Sequence, residues 1–121
     1  MGRMNVQARV RSALAAALPG VEVRVSVPDP RPPTLVVVRR EGGRRENGLV
    51  DRAGVGVDVW ARTEADASEL AMRVSDAMLG LSFADGFARV EEESLRSDYD
   101  AFASSPRWYG SYTVWNFSPR E

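Results

Sequence analysis

Residues 49–81 read LVDRAGVGVDVWARTEADASELAMRVSDAMLGL, and this stretch decides the fold class. In residues 49–62, valines alternate with polar residues and glycines, which is the period-two pattern of a strand with one buried face. Thr63 and Asp66 then resemble a capping box, with aspartate in place of the usual Glu or Gln. Apolar residues follow at three- and four-residue spacing. The stretch therefore predicts a strand that leads into an amphipathic helix.

The two predicted elements each separate apolar from polar positions. On the helix, we expect the buried residues to be Ala67, Leu70, Ala71, Val74, Met78 and Leu81. On the strand, we expect Val55, Val57 and Val59 to share one face and Gly54, Gly56, Asp58 and Trp60 to share the other. Glycines inside a strand often mark a place where another segment packs closely, so the second face is a candidate contact surface.

The flanking segments extend this pattern over the 121 residues. The predicted order is helix (5–18), strand (21–27), strand (34–40), strand (49–62), helix (63–81), strand (88–96) and strand (108–117), with a proline-rich connector at 28–33. Clustered strands with two amphipathic helices indicate an α+β fold. We therefore predict one domain spanning 1–121, in which two helices pack on a mostly antiparallel sheet.

Two segments are predicted to be loops. Residues 39–48 contain Gly-Gly and Asn-Gly pairs, which mark turns, and they form a charged hairpin loop. Residues 97–106 form a polar loop. The hairpin loop is a candidate contact surface through Arg39, Arg40, Arg44, Arg45 and Glu46. A solvated tip, a protein-contact or channel-lining loop, and a DNA-contact loop all remain open for it.

Charge is balanced overall and divided unevenly along the chain. The sequence has 16 basic residues, all arginine, and 17 acidic residues. Residues 1–60 hold ten arginines and six acids, a net of +4, and residues 61–121 hold six arginines and eleven acids, a net of −5. A pI near 5.6 argues against nucleic acid as the main partner. The asymmetry fits a head-to-tail assembly in which a basic surface meets an acidic one.

The residue types disfavour catalysis. The chain has no His, Lys or Cys, and these side chains carry most general acid–base and nucleophilic chemistry. Glu91–Glu93 reads as a solvated strand face, and Asp98 with Asp100 lacks the further ligands and glycine of a calcium loop. No apolar run is long enough to span a bilayer. We therefore expect no enzyme activity, cofactor, metal site or membrane partner.

The last predicted strand is rich in aromatic residues. It holds more of them than one face of a small domain needs, so both core packing and contact between subunits remain open for them. Trp and Tyr often dominate the binding energy of interfaces. The candidate intersubunit residues are Trp60, Trp108, Tyr109 and Trp115.

Several stretches resemble the tail-terminator (tail-completion) proteins of long-tailed bacteriophages and prophages, particularly those of actinobacterial hosts. The resemblance rests on the first helix ending at Leu18-Pro19-Gly20 and on the valine-rich strand and hairpin. It also includes VDVWARTEADA at 57–67 and the aromatic strand over 106–114. The chain departs from the family's pattern at 114–119, where a longer regular strand would be expected.

The resemblance implies a structural virion protein of the tail and neck, assembled in the host cytoplasm. Its subunits would form a hexameric ring that caps the tail tube and forms part of the head–tail joint. The implied partners are further copies of itself, the tail tube protein, head–tail connector proteins, and DNA that crosses the lumen without sequence-specific binding. The hairpin around Arg44 and Arg45 would face the lumen or the adjacent ring. Another neck or head-completion connector, or a small nucleic-acid-binding accessory domain, remains an alternative.

Overall fold

The computed structural model describes residues 5–45, 50–81, 86–98 and 105–117, with side chains described for all of these except Arg44 and Arg45. The elements are α1 (Val6–Ala17), β1 (Val23–Arg24), β2 (Leu35–Arg45), β3 (Val50–Trp60), α2 (Glu64–Leu79), β4 (Phe87–Ser97) and β5 (Arg107–Phe117). This order confirms the predicted α-β-β-β-α-β-β sequence and the α+β class.

One five-stranded sheet forms the body, in the order β1-β2-β3-β5-β4. β1 and β2 pair in parallel, and the other three pairings are antiparallel. β3 lies at the centre and pairs with β5 along its whole length, from Val50 opposite Phe117 to Trp60 opposite Arg107. The order places the N-terminal strand β1 at one edge of the sheet and β4 at the other.

Both helices pack on one face of the sheet, here called the helix face. α1 contacts β1 and β2, whereas α2 contacts β3, β4, β5 and α1. The main core lies between the helices and this face. Its largest fully buried side chains include Tyr112, Phe87, Leu14 and Met78, which pack with valines from β2 and β3. The two predicted faces of β3 are confirmed, since Val55, Val57 and Val59 all lie in this core.

The helices begin where the sequence provides caps. Asn5 Oδ1 accepts a hydrogen bond from the Ala8 N–H (3.1 Å), and Thr63 Oγ1 accepts one from the Asp66 N–H (3.1 Å). Each satisfies one of the amide donors that a helix N-terminus leaves unpaired. Five of the six predicted core residues of α2 are buried, and Leu81, which lies beyond the helix, is partly buried.

The first strand is shorter than predicted. The pattern over 21–27 predicts seven residues, but only Val23 and Arg24 pair with β2. Beyond them the chain leaves the sheet edge, so Val25 and Val27 are 39% and 50% exposed. Alternation along the sequence predicts that a strand has one buried face. It does not predict where an edge strand ends, because that depends on how far its single neighbour pairs with it.

The hairpin loop is also shorter than predicted. The expected loop began at residue 39, but β2 continues to Arg45 through a bulge around Glu41. Gly43 allows this continuation, because its φ is +97° and a Cβ there would lie 2.2 Å from the carbonyl oxygen of Arg52. The Gly-Gly pair marks a bulge inside the ladder, and residues 46–48 lie outside the described part. Of the expected polar loop at 97–106, Ser97 ends β4 and residues 99–104 lie outside it.

Candidate assembly surfaces

The face of the sheet opposite the helices, here called the open face, carries most of the candidate residues. It consists of the alternate residues of β2 to β5 that point away from the core, together with the segment at 25–34 beside β2. Three of these residues form a small second core: Leu35, Val37 and Trp60. The rest of the face is dominated by arginine, acidic and aromatic side chains.

A buried carboxylate organises the centre of the open face. Asp58 is 3% exposed and lies between two arginines. Its Oδ2 accepts a hydrogen bond from Arg39 Nη2 (2.7 Å), and its Oδ1 accepts one from Arg107 Nη2 (2.6 Å). Arg107 also forms an ion pair with Asp98 (3.2 Å). A buried charge must be paired to be tolerated, so Asp58 fixes both arginines and thereby links β2 to β5 across β3.

Trp60 is covered mainly by its own chain. It is 5% exposed, and it packs with Leu35 and Val37. The guanidinium carbons of Arg31 and Arg107 lie 5.1 and 5.6 Å from the centre of its ring, which is within the range of cation–π attraction. Little of its surface is therefore left for the expected contact with another subunit.

The strand glycine at 56 does mark a close approach, and the approaching group belongs to the same chain. A Cβ at Gly56 would lie 2.4 Å from the carboxyl carbon of Glu41, whose side chain crosses the strand there. The Tyr109 hydroxyl donates a hydrogen bond to this carboxylate. Burial and then the Glu41 hydrogen bond raise the pKa of Tyr109 to about 12. The Arg96 guanidinium lies 4.9 Å from the centre of the Tyr109 ring.

The two remaining tryptophans lie on opposite faces. Trp115 is on the open face, is partly buried, and has the Arg89 guanidinium 4.7 Å from the centre of its ring. Trp108 packs against the main core on the helix face and is also only partly buried. Both tryptophans retain exposed surface. The structure thus places Tyr109 and Trp115 on the open face and Trp108 on the helix face.

The predicted arginine cluster is divided between several roles. Arg40 lies on the helix side, where its Nη1 and Nη2 donate to the buried carboxylate of Asp51 at 2.7 and 3.0 Å. This hydrogen-bonded pairing raises the pKa of Arg40. The Arg40 N–H donates to Gln7 Oε1 (2.8 Å), which ties the strand to α1. Arg39 and Arg40 are thus engaged within the subunit and do not form part of an open loop.

Two further residues of that cluster lie at the end of β2. Arg44 and Arg45 pair there through their backbones with Arg52 and Asp51. Glu46 lies outside the described residues. The described strands of the hairpin remain part of the sheet, because β3 is paired with β5 as far as Val50.

Several polar side chains of the described residues are hydrogen-bonded to one another. Glu92, for example, accepts hydrogen bonds from the hydroxyls of Ser75 and Tyr112, and burial followed by the Glu92 hydrogen bond raises the pKa of Tyr112. Within residues 5–45, 50–81, 86–98 and 105–117, no group of three or more acidic side chains is arranged to hold a metal ion. Neither of the two described helices is long and apolar enough to cross a membrane.

Comparison with known proteins settles the family. A family model described as "Tail completion protein gp17" matches residues 4–111. The chain belongs to the tail completion protein gp17 family. The protein is therefore a structural component of a phage-type virion tail, as the resemblance implied. Among curated proteins, none matches its sequence.

A solved structure shares the fold of this chain. One chain of a structure titled "Virion of native gene transfer agent (GTA) particle" superposes with a TM-score of 0.68. The match covers 94% of this chain and 95% of that chain at 23% sequence identity. The likeness extends over nearly the full length of both chains, so the two share one fold.

Two buried acids were not predicted from the sequence, although a signal for them exists. Asp51 and Asp58 lie in the central strand, where most neighbouring residues are buried. A carboxylate in a central strand requires a cationic partner. In a chain whose basic residues are all arginine, this rule predicts that both acids pair with arginines. It does not predict which arginines these are.

Proposed function

We propose that this protein is a tail terminator: six copies form a ring that caps the tail tube, stops its growth and forms part of the head–tail joint. The observation that carries the proposal is the family match over residues 4–111, which includes all elements as far as the middle of β5. In this role the ring contacts the tail tube protein on one side and connector proteins on the other, and DNA crosses its lumen.

The open face supports a scaffolding role. Its charged groups are paired with one another across three strands, as in the Arg39–Asp58–Arg107 cluster. Such a cluster makes the sheet rigid and leaves its aromatic side chains in fixed positions. A ring subunit needs this kind of surface because it must present the same contacts in every copy. The proposal assigns no catalytic step to the protein.

The end of the hairpin is the part that we assign to the lumen or to the adjacent ring. Arg39 and Arg40 are engaged within the subunit, so this role rests on Arg44 and Arg45 at the end of β2. Arginine side chains at a lumen attract DNA phosphates without reading bases. An Arg44→Ala/Arg45→Ala variant should therefore still cap tubes and should hold DNA less tightly at low salt.

Tail assembly without the protein tests the proposal. Electron microscopy of particles made without this chain should show tail tubes of irregular and excessive length, and added purified protein should restore tubes of uniform length with a ring at one end. Tubes of normal length in its absence would contradict the terminator role. Binding of the purified protein to the portal side of heads, without binding to tubes, would instead identify a head-completion connector.

A further inference from the structure

The uneven charge along the sequence becomes an uneven charge across the fold. α1 carries two arginines and no acid, a net of +2, and it lies over β1 and β2. α2 carries four acids and one arginine, a net of −3, and it lies over β3, β5 and β4. Because β1 and β4 are at opposite edges of the sheet, the subunit has a basic side and an acidic side.

Exposed apolar residues occur on both of these sides. In the described part of the chain, the large hydrophobic residues that are exposed are Val25, Val27, Met72 and Leu79. Val25 follows β1 and lines a groove next to α1 on the basic side, whereas Val27 lines a pocket with Val37 and Trp60 on the open face. Met72 and Leu79 lie on the outer face of α2 on the acidic side. Apolar side chains surrounded by charges are typical of protein–protein contact sites. Val25 on one side, and Met72 with Leu79 on the side of opposite charge, are therefore candidates for two complementary surfaces.

The basic surface is defined here by Arg11, Arg24 and Val25. It borders a groove of about 490 Å³ between α1 and the segment around β1, which Glu22 also lines. Arg11 is exposed, and its Nε donates to the carbonyl oxygen of Val23 (2.9 Å). No carboxylate of the described residues forms an ion pair with it, whereas Arg24 is paired with Glu22. The groove can therefore receive an apolar side chain next to an acidic one.

The acidic surface is a stripe along the exposed side of α2. It is defined here by Glu69, Met72, Asp76 and Leu79, which are spaced by three, four and three residues and so form one stripe along α2. All four side chains are exposed. Neither acid forms an ion pair within the described residues, and the Glu69–Arg73 pair that the helical spacing permits is not formed. Acidic and apolar side chains thus alternate along the stripe.

We infer that the acidic surface of one copy docks on the basic surface of the next, which makes the ring contact head-to-tail. The inference rests on the proposed ring and adds to it which surfaces meet. Two different surfaces of each subunit take part, so the contact is heterologous and repeats from copy to copy until the ring closes. The opposite charges fix the direction of docking, and the side chains of Val25, Met72 and Leu79 are buried between the copies.

Engineered cysteines test which surfaces meet, and the chain is suited to this because it has no cysteine. A chain with both Val25→Cys and Leu79→Cys should give a disulfide-linked ladder that ends at the ring size. The single variants are the matched controls, and neither should give more than traces of dimer. Abundant disulfide-linked dimer from either single variant, or no ladder from the double variant while rings are present, would overturn the inference.

Charge reversal provides the second test. One variant carries Arg11→Glu and Arg24→Glu, and the other carries Glu69→Arg and Asp76→Arg. Each alone places like charges at every contact and should reduce ring formation about tenfold or more. An equimolar mixture should restore alternating rings, and so should one chain that carries all four substitutions. This restoration also shows that both variants fold.

The outcomes separate the two proposals. If the wild-type protein forms rings and both reversed variants form them equally well, the docking inference is wrong and the ring remains. If reversed variants lose their rings and the mixture fails to restore them, the pairing of these two surfaces is wrong. If the wild-type protein forms no ring either alone or at the ends of tail tubes, the proposed function fails and the docking inference fails with it.

Discussion

The two faces of the sheet are stabilised in different ways. The helix face is covered by α1 and α2, and its valines and aromatic residues are almost completely buried. The open face has no helix over it among the described residues, and its centre is held by Asp58 and the two arginines beside it. Apolar burial therefore determines the fold, whereas the ion pairs fix the positions of exposed side chains on a surface that is available for assembly.

Removing buried apolar volume on the helix face should have the largest effect on stability. Leu14 is fully buried in α1 and Leu79 is 52% exposed in α2. Leu14→Ala should lower the free energy of unfolding by about 2–5 kcal/mol because it leaves a cavity. Leu79→Ala is the matched control and should change it by less than about 0.5 kcal/mol. Urea denaturation of the dilute protein measures both, and equal losses would contradict the assignment of the core.

Breaking the buried Arg40–Asp51 ion pair on the helix face should have the second-largest effect on stability. Asp51→Ala leaves Arg40 without its bidentate partner in a site where the Arg40 side chain is 27% exposed. We expect a loss of about 3 kcal/mol in the free energy of unfolding, since an unpaired charge remains partly buried. The Asp51→Ala/Arg40→Met double variant should recover part of this loss. A single variant as stable as the wild type would show that the pair is not formed in solution.

Breaking the ion pairs of Asp58 on the open face should lower the free energy of unfolding by less than Asp51→Ala does. Asp58→Ala removes a carboxylate whose partner Arg39 is 48% exposed, and Arg107 retains Asp98. Water can solvate the freed arginines, so we expect a loss of about 1–2 kcal/mol. Urea denaturation alongside Asp51→Ala gives the comparison directly. A larger loss for Asp58→Ala than for Asp51→Ala would reverse the account of the two faces.

The smallest effect should be the pH dependence caused by Tyr109. Its pKa is raised from 10.0 to about 12 in the folded protein, so folding favours the neutral phenol. The stabilisation is fully present below pH 10 and is lost as the pH rises through 12. Tyrosinate absorbance should show a late transition to which Tyr109 and Tyr112 both contribute, and Tyr109→Phe should remove the contribution of Tyr109. Titration of Tyr109 near its ordinary pKa would mean that the Glu41 contact is absent in solution.

Local sequence patterns predicted much of the fold. The spacing of Leu70, Val74 and Met78 predicted the buried stripe of α2, and alternation predicted both faces of β3. These signals depend on neighbours within a few residues, so the sequence displays them directly. The end of β1 and the extension of β2 to Arg45 depend on which strand lies beside each one, and no local pattern contains that information.

The candidate surfaces were less predictable for the same reason. Arg39, Arg40, Arg44 and Arg45 are close in sequence and were expected to act as one cluster. Arg39 binds a residue 19 positions away and Arg40 binds one 11 positions away, on opposite faces of the sheet. The partner of Asp58 in β5 is 49 positions away. Such pairs follow from strand register, which only the assembled sheet specifies.

The ring itself is the central claim, and native mass spectrometry of the purified protein tests it most directly. The account predicts a closed species at six times the 13.3-kDa mass of one chain, which dissociates as the salt concentration rises. Negative-stain images of the same sample should show six-fold rings. A 13.3-kDa species at every concentration, together with no ring at the ends of tail tubes, would contradict the account.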